Sequence, residues 1–206
     1  MEKNIFISSN KEYSSLLLEK VIHVRKKYSD NIIVIENDVL ESVKTNLKEN
    51  YKVEFIDEIK SRGEKQLVMD RIIQVANILK YRRRSVNLIL DNYSWTIDDP
   101  NCILDTLHPE YNKIVFTVSN SIEPGKLEDH HTKFESEEFK SNIKLLIDKY
   151  QGVINSSALF ATREGALDLA IFFKKMIRNN ITSGEKLMNY YYDEAVHSIL
   201  DKKRST

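Results

Sequence analysis

The sequence predicts one three-layer α/β domain with a mostly parallel sheet. Three observations lead there. Short β-branched runs alternate with longer amphipathic stretches along the chain. Ile32-Ile33-Val34-Ile35 is a continuous β-branched run, as strands covered on both faces are. Only 5 Gly and 3 Pro among 206 residues leave little material for the many turns of an all-β fold.

The elements follow in order. Asn4-Ile5-Phe6-Ile7-Ser8 reads as a first buried strand. Leu16, Leu17, Leu18, Val21, Ile22 and Val24 give Ser14 to Tyr28 a helical stripe, with its charges expected on the other side. Ile32 to Ile35 is a second buried strand. Asp38 is placed to cap a helix through about Glu49. Tyr51 to Ile56 is a third strand, Gly63 to Arg84 the longest helical stretch, and Val86 to Leu90 a fourth strand that stops at Asp91. Asp98, Asp99 and Pro100 open a short helix through Leu107, and Lys113 to Val118 is a fifth strand. Phe134 to Tyr150 is helical, Val153 to Phe160 a sixth strand, and Ala166 to Arg178 a helix. Glu185 to Lys203 forms the last helix. No linker divides the chain, so residues 1–206 are expected to form a single domain, with the helix at about 185–203 as a partner-contacting appendage.

Composition removes several function classes. Lys+Arg and Asp+Glu both number 31, so the net charge is zero and the simplest argument for a nucleic-acid domain is missing. The single Cys102 excludes a disulfide framework within the chain and a Cys-based zinc cluster, and suits a reducing compartment. No apolar run approaches the roughly 20 residues of a membrane span. Met1 to Asn10 lacks the layout of a signal peptide. The expectation is a soluble, cytoplasmic protein with no membrane partner.

Ligands of open parallel sheets bind beyond the carboxyl ends of the strands. At the first such end, Ser8-Ser9-Asn10-Lys11-Glu12-Tyr13-Ser14-Ser15 has the length and setting of a Walker A loop, and its terminal hydroxyl, Ser15. Ser8 and Tyr13 stand where glycines would let the backbone wrap a phosphate, and Ser14 stands where a lysine would neutralise it. Asn87-Leu88-Ile89-Leu90-Asp91 has the form of a Walker B strand, followed by Asn92 where an acid would polarise water. Taken together, Asn4 to Asn120 resembles the core of P-loop ATPases of the FtsK/HerA type, and most closely the genome-packaging ATPases of large DNA viruses. The resemblance implies a P-loop NTPase-like topology and a member that has lost hydrolysis. Ser8, Ser9, Asn10, Ser14, Ser15, Asp91 and Asn92 would be its nucleotide-loop equivalents. Such a pseudoenzyme would hold no cofactor or metal. It would act as a structural or regulatory partner in a nucleic-acid-handling or packaging assembly, or as a homo-oligomer.

Two other resemblances compete. Ile5 to Ser9, then Leu90-Asp91-Asn92-Tyr93 with Trp95, Cys102 and Asp105, is similar to TIR domains, which implies an NAD-processing enzyme with Asp105 in place of the usual glutamate. Asp129-His130-His131 resembles the metal-binding element of DHH phosphoesterases, which with Asp91 implies a metal-dependent phosphoesterase, although no Asp-x-Asp element accompanies it. Arg82-Arg83-Arg84 is a candidate basic contact to a phosphate backbone, against simple placement at a helix C-terminus. Arg163 is a candidate finger-type arginine or a solvated loop residue, and Tyr190-Tyr191-Tyr192 a candidate partner surface.

Overall fold

The computed structural model of the chain describes residues 1–59, 67–91, 99–107, 114–119 and 153–178. Strand β1 spans Glu2–Asn10 and passes through a 3-10 turn, Lys11–Tyr13, into α1, Ser14–Arg25. Then come β2 (Asn31–Asn37), α2 (Glu41–Tyr51), β3 (Glu54–Asp57), α3 (Leu67–Leu79) and β4 (Ser85–Leu90). The short α4 (Asn101–Leu104), β5 (Ile114–Ser119), β6 (Val153–Thr162) and α5 (Arg163–Arg178) complete the described chain. The helices expected over Phe134 to Tyr150 and Glu185 to Lys203, and the Tyr190–Tyr192 cluster, lie outside the described residues.

The six strands form one sheet in the order β3-β2-β1-β4-β6-β5. β1 to β4 run parallel; β6 is antiparallel to β4 and to β5, so β6 alone is reversed. Side-chain alternation sends the two halves of each central strand to different layers. Ile5, Ile7, Ile32, Val34, Leu88 and Leu90 pack with Leu17, Val21 and Val24 of α1, Leu47 of α2 and Leu104 of α4. Phe6, Ile33, Ile35 and Ile89 pack on the opposite face with Ile72, Val75 and Leu79 of α3 and Leu169 and Phe173 of α5. Each such side chain contributes about 1.5–3 kcal/mol when fully buried. Two apolar layers on one sheet explain why Ile32 to Ile35 reads as an unbroken apolar run.

Two local expectations are corrected. Asp38 does not cap α2: it sits at φ 55 in the turn after β2, and the N-cap position is Leu40, which has no side-chain cap. The charges of α1 do not all lie on its outer side, because Lys20 is only 1% exposed. It lies one turn from Leu17 and from Val24, within the apolar stripe.

Polar side chains enter the sheet at its amino end and fix register there. Asn4 faces Asn31 on β2 and Asn87 on β4. Asn31 Nδ2 donates to Asn4 Oδ1 at 3.0 Å, Asn4 Nδ2 donates to Asn87 Oδ1 at 2.8 Å, and Asn87 Nδ2 donates to the Ala161 carbonyl of β6 at 3.1 Å. Ser85 Oγ also donates to Asn87 Oδ1, at 3.2 Å. Asn4, Ser85 and Asn87 are fully buried. A slip of one residue would bring apolar side chains against these amides, so the ladder specifies the alignment of four strands.

Candidate functional site at the carboxyl ends of β1 and β4

From β1 the chain builds outward through β2 to the β3 edge, then returns to place β4 on the other side of β1. The strand order therefore reverses between β1 and β4, where open α/β sheets bind ligands. Pairing of β1 with β4 ends at Ile7–Leu90. Pairing with β2 continues through Ser8–Ile35, Ser9–Glu36 and Asn10–Asn37. Pairing along β1 thus continues past its last pair with β4, and Asp91 is the next residue after that pair.

Charged side chains line up across this end of the sheet. Lys20 of α1 donates from Nζ to the Asp91 carbonyl oxygen at 3.0 Å. Burial lowers the Lys20 pKa to about 8, Asp91 opposing that fall and Arg71 adding to it. Arg71, 7% exposed, reaches the same place from α3 on the opposite face. Its pKa is lowered by burial, against the pull of Asp91 and Glu58. Glu58 is pushed above the usual carboxylate range by burial, with a hydrogen bond to Asn37 acting the other way. Asp91 acts on both Lys20 and Arg71, and Glu58 acts on Arg71, so each cation has a carboxylate within electrostatic reach. Isolated buried charges would be very costly, and nearby opposite charges offset part of that cost.

Neighbouring polar groups hold the rim. The buried Glu36 accepts from the Val39 backbone N–H at 3.0 Å and pairs with Lys44, whose ammonium pKa that hydrogen bond raises. Gln74 of α3 donates to the Asp57 carbonyl at 2.7 Å and accepts from the Ile59 N–H at 3.1 Å, tying down the chain beyond β3. Among the described residues no three His, Cys, Asp or Glu side chains gather as a metal site.

This architecture recurs in known transferases. The galactosyltransferase LgtC superposes with a TM-score of 0.57 at 12% identity, over 90% of this chain and 69% of LgtC. The chain has its fold. The bifunctional glycosyltransferase WbbM gives 0.58 at 15% identity, over 91% of this chain and 37% of WbbM. The 4-diphosphocytidyl-2C-methyl-D-erythritol synthase of Anaerococcus prevotii DSM 20548 gives 0.51 at 13% identity, over 94% and 84% of the two chains. No family model and no curated protein matches the sequence.

These neighbours overturn the resemblance to P-loop ATPases, and with it the inactive-ATPase function and P-loop topology. The physical reason lies in β1. A phosphate-wrapping loop needs main-chain N–H groups released from the sheet. Ser8, Ser9 and Asn10 are instead strand residues paired with β2. β4 does lie beside β1, one of the two placements that resemblance allowed, but adjacency alone does not carry it. The TIR and phosphoesterase readings fall with the same comparison. Asp105 sits at the amino end of the sheet, exposed and ion-paired to Lys3 at 2.6 Å, far along β1 from the strand ends that hold ligands. Asp129, His130 and His131 lie outside the described residues.

The other candidate residues have definite places. Asn10 Oδ1 accepts from the Tyr13 N–H at 3.3 Å as an N-cap. The buried Ser14 Oγ donates to the Lys11 carbonyl at 2.8 Å and accepts from the Leu40 N–H at 3.1 Å, so it pins α1 to the start of α2. Ser15 is exposed, Asp91 is half-buried at the end of β4, and Asn92 lies outside the described residues. Arg82 pairs with Glu2 at 3.3 Å and Glu54 at 2.5 Å, bridging the starts of β1 and β3, while Arg83 and Arg84 are exposed. Arg163 donates to the Leu79 and Lys80 carbonyls at 2.9 and 3.2 Å and so caps α3. Sequence reasoning missed Lys20, Arg71, Gln74 and Glu36. Their common signal was a polar residue at an apolar position: Lys20 between Leu17 and Val24, Arg71 and Gln74 beside Ile72 and Val75, Glu36 ending the run from Ile32.

Proposed function

We propose that this chain is a nucleotide-sugar-dependent transferase whose donor lies across the carboxyl ends of β1 and β4. One observation carries the reading. The strand-order reversal, which directs ligands to a particular end of the sheet, coincides with the charged cluster Lys20, Asp91, Arg71 and Glu58. Charges kept under the strand ends of such a sheet suit a ligand that carries both phosphate and hydroxyl groups. Arg71 and Lys20 supply positive potential toward phosphate oxygens, and Asp91 and Glu58 supply acceptors for hydroxyls. The fold shared with LgtC, WbbM and the diphosphocytidyl synthase supports the same ligand class.

Calorimetric titration with UDP-, CDP- and GDP-linked sugars tests this. The expected result is saturable heat with at least one of them, weakened at least tenfold in Asp91→Asn. Release of nucleoside diphosphate in the presence of a saccharide acceptor is the matching activity. Absence of heat with every donor up to millimolar concentration would refute the reading.

A further inference from the structure

The proposed donor crevice depends on where β4 ends, and β4 ends at a residue held by a side chain from another layer. Asp91 is the first residue after the last β1–β4 pair. The Lys20 ammonium holds the main chain there through a 3.0 Å bond to the Asp91 carbonyl oxygen, across 71 positions of sequence. Burying an ammonium on the apolar stripe of α1 disfavours folding, so simple packing does not account for it. Leucine or methionine would fill the same space between Leu17, Val21 and Val24.

We propose that Lys20 is a positioning residue of the donor crevice: its ammonium fixes the main chain at Asp91, and thereby the carboxylate that follows β4. This rests on the transferase reading above for its functional consequence, but not for its geometry. The charged groups acting on Lys20 are Asp91 at the end of β4 and Arg71 from α3. Asp91 favours the ammonium; Arg71 and burial oppose it. The positive charge is therefore lost within the range of ordinary buffers. A neutral amine still donates to the carbonyl, but without charge assistance the bond has about half its strength. Donor affinity should accordingly fall about fivefold as the pH rises through the Lys20 transition.

The test has an arm that needs no ligand. The carbonyl carbon-13 resonance of Asp91, followed from pH 6.5 to 10 in the labelled wild-type chain, should titrate with a midpoint near the Lys20 value of about 8. In Lys20→Met it should be displaced and flat. A pH-independent Asp91 carbonyl in the wild type overturns the proposal, whether or not any donor binds. The second arm measures UDP-, CDP- and GDP-sugar affinity against pH. Lys20→Met should lose roughly tenfold in affinity and lose the inflection, while its circular dichroism stays that of the wild type. Unchanged affinity and an unchanged pH profile in Lys20→Met also overturn the proposal. A carbonyl that titrates in a protein that binds no donor refutes the transferase reading alone.

Discussion

Replacing Asn87 by alanine should destabilise the fold far more than a surface substitution. Three groups lose a partner. Asn4 Nδ2 loses its acceptor at 2.8 Å, Ser85 Oγ loses one at 3.2 Å, and the Ala161 carbonyl loses a donor at 3.1 Å. Asn4, Ser85 and Ala161 are all 0% exposed, so water cannot simply take the vacated place. A buried polar group left unmatched costs about 1–3 kcal/mol. The Asn4 amide bears the full penalty, because its position between β2 and β4 is set by the ladder. The Ser85 hydroxyl rotates and the Ala161 carbonyl keeps a second lone pair, so each bears less. The expected total is about 3–4 kcal/mol, a large share of the roughly 5–15 kcal/mol that an ordinary domain has. Urea denaturation reads it directly. With a slope of about 2 kcal/mol per molar, the midpoint should fall by roughly 1.5–2 M at unchanged slope. A double-mutant cycle with Asn4→Ala should return a coupling of about 1–3 kcal/mol. A loss below about 1 kcal/mol with no coupling would show that the ladder does not hold the strands in register.

Three further outcomes follow. Lys20 has a pKa of about 8 folded against 10.5 as a free side chain, so between those values the unfolded chain binds the extra proton and wild-type stability rises with pH. Relative to Lys20→Met the gain from pH 7 to 10.5 should approach about 3 kcal/mol by urea titration, and a constant difference would contradict the burial argument. Gln74→Leu should raise amide hydrogen exchange at Ile59 by at least about tenfold, because the acceptor at 3.1 Å is gone; unchanged protection would remove Gln74 as the clamp beyond β3. Arg82→Ala should cost about 0.5–1 kcal/mol at low salt and less at about 0.5 M salt, since its two ion pairs are partly exposed; a salt-independent loss would mean that packing and not charge is responsible.

The layered fold was legible because both faces of the sheet are covered. Ile32 to Ile35 had to be apolar at every position, and Val86 to Leu90 at every position but Asn87, and such runs declare themselves without knowledge of their partners. The order of the strands did not follow from those runs. Nothing within Val153 to Thr162 states that β6 is reversed and lies between β4 and β5, because strand pairing is a long-range property. The first strand end was misread for a related reason. Ser8, Ser9 and Asn10 are polar and look like a turn, yet their main chain is bound by β2, and only pairing partners far along the chain reveal that. Of the candidate site, the sequence pointed to Asp91 and to the end of β1 at Ser8 to Asn10, but not to the charges packed beneath them. Lys20 and Arg71 were hidden by the rule that charges on an amphipathic helix face water; a buried cation is intelligible only once its carboxylate from another element is known. Asp38 failed differently: its side chain suits an N-cap, but its backbone at φ 55 belongs to the turn before the helix.

The most direct test of the donor crevice is amide shift mapping of the labelled chain with a nucleotide sugar that gives heat in the calorimeter. The perturbed amides should cluster at Ser8, Ser9 and Asn10, Asn37, Glu58 and Asp91, at one end of the sheet. Shifts gathered instead around Asn4, Asn31, Ser85 and Asn101, at the opposite end, would contradict the assignment of the site.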